Sequence, residues 1–170
     1  MNIVIHYKSW TETDKKKLEQ VKTFKELGNL VLEIVHRLPG KVQMVSGPIS
    51  TGGVGTIEGN KLIFERVIEI LATEPAANIF SQMPFEDKMV ELYLDWHAKN
   101  PAEKYCRPIL DEFYEPLFSS GKVSDLHFIH GWELSTGATW EHDNCDRWNI
   151  KRHYLPQEIS VRALNGSPAI

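Results

Sequence analysis

Short β-prone runs alternate with longer stretches of helical apolar periodicity, and this alternation confines the chain to one broad class of fold. Leu18, Val21, Phe24, Leu27, Val31, Ile34, Val35 and Leu38 recur every three or four residues until Pro39-Gly40 stops them. The spacing predicts one amphipathic helix, begun among Thr11, Thr13 and Asp14, with one face in the core. A strand over residues 41–45 follows, and Leu62, Ile63, Val67, Ile68 and Leu71 form the next helical stripe. Residues 2–7 read as an earlier strand, 78–81 as a weak one, 123–129 as a buried one, and Tyr154-Leu155 as the last before a polar tail. Residues 85–118 read as mostly helical but divided by Pro101, Pro108 and Pro116, and 136–148 as a helix capped by Ser135 or Thr136. Strands joined by helix-length connections predict an α/β domain with a Rossmann-like, doubly wound parallel sheet of about five strands.

Composition narrows the function classes. The 170 residues suit a single domain, and 42% hydrophobic with 25% charged residues is ordinary for a globular chain. The net charge of −4 and the mixing of Lys15, Lys16, Lys17, Lys22 and Lys25 with Asp14, Glu19 and Glu26 describe a solvated helix face, so no nucleic-acid polymer is expected as a partner. No apolar run approaches a membrane helix, and residues 1–10 lack the pattern of a secretion signal. Cys106 and Cys145 have no CxxC partner, which fits reduced thiols in the cytoplasm.

Two loops carry the chemistry, and each follows a strand at the end where parallel sheets bind ligands. The first, residues 46–55, joins Ser46, Gly47, Pro48, Ile49 and Ser50 to Gly52, Gly53 and Gly55. Glycines and hydroxyls between a strand and a helix expose backbone N–H groups to an anion such as phosphate. The pattern is neither a GxxxxGK[ST] phosphate loop nor a clean GxGxxG fingerprint, and an ordinary surface turn has the same composition. In the second, residues 131–141, Gly137 and Ala138 permit close approach at a helix start, and Glu141 falls on their face one turn later.

Taken together, Ser46-Gly47-Pro48-Ile49, Asn60 with Phe64, Asp125, Gly131-Trp132 and Ser135-x-Gly137-Ala138-x-x-Glu141 resemble the nucleoside 2-deoxyribosyltransferase superfamily. The nearest likeness is to small phage and bacterial members with SGP and GWxxSxGAxxE motifs, and to the nucleoside 5′-monophosphate N-glycosidases. The resemblance covers roughly residues 41–155. It leaves 1–40 as an N-terminal strand and helix extension and 156–170 as a tail. It implies that Glu141 is the nucleophile attacking C1′ of the sugar, with Ser46, Gly47, Pro48, Ile49, Ser50, Gly53, Asp125, Trp132, Ser135, Gly137 and Ala138 around the substrate. The oxocarbenium-like chemistry calls for a carboxylate against the sugar and an acid to protonate the departing base. The resemblance sets that acid about two turns before Asp125, where this chain has Leu117; Glu115 is the nearest acidic choice and Asp111 the reserve.

Ser135 decides between substrates. Transferases acting on free nucleosides carry an Asp there for a sugar hydroxyl, whereas the monophosphate glycosidases carry a Ser that binds the 5′-phosphate. The implied activity is cleavage or transfer of the N-glycosidic bond of a nucleoside 5′-monophosphate, without cofactor, in a homo-oligomer. The alternatives are a non-catalytic nucleotide-binding or sensing module and a 2-deoxyribosyltransferase on free nucleosides. His127, His130, His142 and His153 lack metal-ligand spacing, so no metal is expected. Trp132 and Trp140 are able to stack on a base, with core packing the competing role.

Overall fold

A computed structural model describes residues 10–50 and 52–166. The strand expected over residues 2–7 lies outside the described residues, as does Thr51 within the first loop. The described chain is α/β, with a three-stranded parallel sheet of β1 (Val42–Ser46), β2 (Val123–Phe128) and β3 (Lys151–Tyr154), in the order β1-β2-β3. Ser46 pairs with Phe128, and Phe128 with Tyr154, so the carboxyl ends of all three strands stand level. On the other side of β1, residues 78–81 contribute one parallel bridge, Gln43 to Ile79, in place of a full strand.

Alternation along the strands divides the core in two. Met44, Leu126 and Phe128 join one cluster with Leu27, Val31, Ile34, Phe113 and Leu117, while Val45 joins Ile63, Phe64, Val67 and Ile68 in the other. The first cluster is covered by α1 (Glu12–Gln20) and α2 (Phe24–Arg37), the second by α3 (Ile57–Ala72).

The helix expected over residues 14–38 is two helices. Thr11 with Asp14 and Thr23 with Glu26 each close a capping box, and the second box starts a new helix just after Val21 ends the first. The proline-divided stretch resolves into α4 (Glu86–Lys99), a π-helical turn Ile109–Tyr114 and α5 (Glu115–Ser119). Pro116 has no N–H to return to the carbonyl of Glu112, four residues back, and the wider turn before it absorbs that loss, with Glu115 N–H donating to Leu110 O. Against this turn lies Gly28 of α2, where a Cβ would stand 2.0 Å from Glu112 O. Only glycine lets the two segments approach so closely.

α6 (Thr136–Asn144) runs into the 3-10 turn Cys145–Trp148. The tail is not a polar extension: Gln157–Asn165 forms α7, ended by Gly166 in the left-handed conformation. Its buried Ala163 joins the α3 side of the core, and Arg66 of α3 donates to Ala163 O at 2.6 Å. Among the described residues no helix is long and apolar enough to cross a membrane.

Candidate functional site

The two loops singled out in the sequence meet. Ile129 N–H donates to Ser46 O at 2.8 Å, extending the β1–β2 ladder past the strand ends. A Cβ on Gly52 would stand 2.9 Å from Leu134 Cβ, so the tips of the loops touch. Asn60, buried in the first turns of α3, holds the first loop in shape. Its Nδ2 donates to Ile49 O at 3.0 Å and Gly52 O at 3.1 Å, and its Oδ1 accepts from Val54 N–H at 2.9 Å. Gly53 has φ +63, and a Cβ there would fall 2.1 Å from Asn60 Oδ1. Pro48 is buried and Ser50 exposed, and the rim carries the exposed apolar side chains of Val54, Ile57 and Leu134.

Glu141, in α6, has only 7% of its surface exposed. Burial pushes its carboxyl up to about 8, and Glu86 adds to the rise by like-charge repulsion. Ser46, at the carboxyl end of β1, lies close enough to the carboxylate to oppose that shift. The hydroxyl falls short of full hydrogen-bond geometry, and Ser46 Oγ is buried with no partner. Tyr105 and Tyr114 complete the surroundings: burial raises both phenols, Tyr105 to about 12, and the charge of Glu141 adds to the rise at Tyr105, those of Glu86 and then Glu141 at Tyr114. Gly137 lies beneath Tyr105, whose hydroxyl would be 3.2 Å from a Cβ there. Beside them opens a hollow of about 600 Å³ bordered by Tyr105, Arg107, Leu110, Thr136 and Trp140.

Ser135 is the N-cap of α6, its Oγ accepting from Ala138 N–H at 3.3 Å. Accepting leaves its own proton to be donated elsewhere. Trp132 is committed to packing on one face, stacked on His142 with ring centres 4.2 Å apart and leaning on Phe128. Asp125, within β2, is bonded to Ser124 Oγ at 2.5 Å and His153 Nε2 at 2.7 Å. The two acids read from the sequence are turned to other partners. Glu115 pairs with Arg147 at 2.9 Å, and the exposed Asp111 with Arg107 at 3.0 Å.

The acidic side chain whose charge reaches Glu141 is Glu86, in the first turn of α4. Nothing in the spacing of residues 82–87 marks it, because an acidic pair at a helix start reads as a favourable dipole contact. No local pattern marks Gln82, Tyr105 and Tyr114 either, since a turn before α4, a loop and a π turn bring them in from separate parts of the chain. Among the described residues no group of three or more His, Cys, Asp and Glu side chains is placed to hold a metal ion. Comparison with protein-family models, curated proteins and solved structures finds no match to this chain.

Proposed function

We propose that this chain is an N-glycosidic-bond enzyme of the nucleoside 2-deoxyribosyltransferase type, acting on a nucleoside 5′-monophosphate and passing its sugar to water or to another base. The reading includes a Rossmann-like, doubly wound sheet, a cytoplasmic location and a homo-oligomer. The observation that carries it is a buried glutamate, Glu141, set against Ser46 at the carboxyl end of a parallel sheet whose two following loops touch. Buried carboxylates without an ionic partner are costly, and proteins keep them where chemistry needs them.

The arrangement supports this reading. In low-dielectric surroundings an ionised Glu141 acts strongly on positive charge developing at the sugar, and its oxygen is the group that bonds to C1′. Ser135, Gly137 and Ala138 form the start of α6, where the helix end and the Ser135 hydroxyl favour a phosphate. The loop over residues 46–55, held by Asn60, lies opposite.

A second reading, a nucleotide-binding module without catalysis, is favoured by Leu117 in the acid's place and by Glu115 facing Arg147. Incubation with a panel of nucleoside monophosphates and their parent nucleosides, followed by chromatography for free base, separates the readings. Release from monophosphates in preference to nucleosides is expected. Binding without release sinks the enzyme, and equal release from free nucleosides transfers the assignment to a deoxyribosyltransferase.

A further inference from the structure

A glycosidase that uses Glu141 needs a proton for the base it expels, and neither acid read from the sequence faces Glu141. The turn before α4 answers this differently. Gln82 donates from Nε2 to Val45 O at 2.9 Å, which fastens the turn to β1 one residue before Ser46. Phe85 N–H then closes on Gln82 O at 3.0 Å, and the chain enters α4 at Glu86. Only 8% of Glu86 is exposed. Its carboxylate and that of Glu141 both bear on the buried Tyr114, and the charge of Glu86 reaches Glu141. Burial holds the carboxyl of Glu86 above the usual carboxylate range, as it does that of Glu141, against the opposing pull of Lys61, a cation that also sits 3.6 Å from Asp87. Gln82 Oε1 and Ser46 Oγ, both buried on this seam, have no hydrogen-bond partner in the protein. Ser46 and Gln82 therefore keep unused bonding capacity on the seam where β1, the turn into α4 and Glu141 of α6 come together.

We infer that Glu86 is the second carboxylate of the Glu141 site and the proton donor to the departing base, an assignment that depends on the glycosidase reading above. The pair keeps one proton near neutral pH, and the reactive form is the one that carries it on Glu86 and leaves Glu141 ionised. In the first step a Glu141 oxygen bonds to C1′ while the C1′–N bond breaks. Its electron pair stays on the base nitrogen, and the Glu86 proton goes to the base. In the second step water attacks C1′ and gives a proton to the Glu86 carboxylate. The C1′–Glu141 bond breaks with its electrons returning to the Glu141 oxygen. The sum is nucleoside monophosphate plus water giving free base and sugar 5-phosphate, with both glutamates restored.

The test compares two substrates on the same sample of each variant, so that a partly folded variant still gives a valid ratio. One is the monophosphate cleaved fastest by the parent protein; the other is the corresponding 4-nitrophenyl sugar 5-phosphate, whose leaving group departs without a proton. Glu86→Gln is expected to lose about 10²- to 10⁴-fold on the monophosphate and less than about 10-fold on the nitrophenyl compound. Glu141→Gln should fail on both. The fall of kcat/KM on the alkaline side, where the acid loses its proton, should disappear in Glu86→Gln. Equal losses on the two substrates, a surviving alkaline fall, or the selective loss appearing in Glu115→Gln instead would each overturn the assignment. A parent protein that releases base while Glu86→Gln matches it removes Glu86 alone. A parent inert on every substrate removes the glycosidase reading and Glu86 with it.

Discussion

Asp125 and Glu141 are both carboxylates close to the same sheet, yet the protein treats them in opposite ways. Around Asp125 burial raises the pKa, but Ser124 and His153 outweigh it and hold the group below the usual carboxylate range. The row continues beyond it: His153 stacks on His127 with ring centres 4.6 Å apart, and His127 Nε2 meets Gln43 Oε1 at 2.9 Å. Around Glu141, burial and Glu86 win against a single hydroxyl, and the carboxyl is held near 8. A polar group whose neighbours answer it contributes to the fold. One left with a raised pKa costs stability, and on the proposed reading its place is kept by the reaction rather than by the fold.

The sharpest way to break this contrast is to neutralise each carboxylate. Glu141→Gln keeps the shape and removes the attacking charge, so turnover should fall at least about 10³-fold while nucleotide binding survives. Its effect on stability should have the opposite sign. The folded-state pKa lies above the unfolded value, so the folded protein binds more protons and parent stability declines as pH rises from about 4.5 to about 8. Glu141→Gln should remove its share of that decline, leaving the share of Glu86, and gain on the order of 2–4 kcal/mol at pH 8, measured by urea unfolding across pH.

Asn60→Ala removes three hydrogen bonds from the first loop and should cost roughly 2–4 kcal/mol. Amide exchange over residues 49–54 should quicken. Unchanged exchange there would mean that the loop holds its shape without Asn60.

Ser135→Ala separates a helix cap from a phosphate contact. A hydrogen bond to a charged group contributes about 1.5–3 kcal/mol, so kcat/KM for a monophosphate should drop about 10- to 150-fold while that for the nucleoside hardly moves. A cap alone would lower stability by about 1 kcal/mol and affect both substrates alike.

Asp125→Asn carries the smallest effect, a loss of roughly 1–2 kcal/mol at neutral pH. The pKa of Asp125 is depressed, so its contribution is present above the unfolded carboxylate range and fades as pH falls through the folded value. Parent and variant should converge in acid. If Asp125→Asn instead abolishes turnover with stability intact, Asp125 belongs with the site and the contrast collapses.

What could be read in advance follows from the range of the forces involved. Periodic stripes such as Val31, Ile34 and Val35, and the strand–loop–helix unit from Val42 to Ala72, are local patterns, and they formed where spacing put them. The meeting of the two loops followed from parallel strands whose ends must stand level. The break at Val21 was also legible, since Thr23 and Glu26 spell a capping box, but the apolar stripe running through it was the louder signal. In α7, Ile159 and Ala163 offered a stripe too short to separate from a loop. Glu86 was beyond reach for a different reason. Its burial depends on Gln82 gripping Val45 across 37 residues, and no local spacing records such a contact.

The most direct test asks whether the sugar becomes attached to Glu141. The parent protein, mixed with the monophosphate that it cleaves fastest, is quenched within milliseconds in acid, digested and examined by mass spectrometry. The peptide holding Glu141 should gain the mass of a pentose 5-phosphate less water, and Glu141→Gln should not. Base release with no adduct on that peptide, or with the adduct on the peptide holding Glu86, would contradict the account.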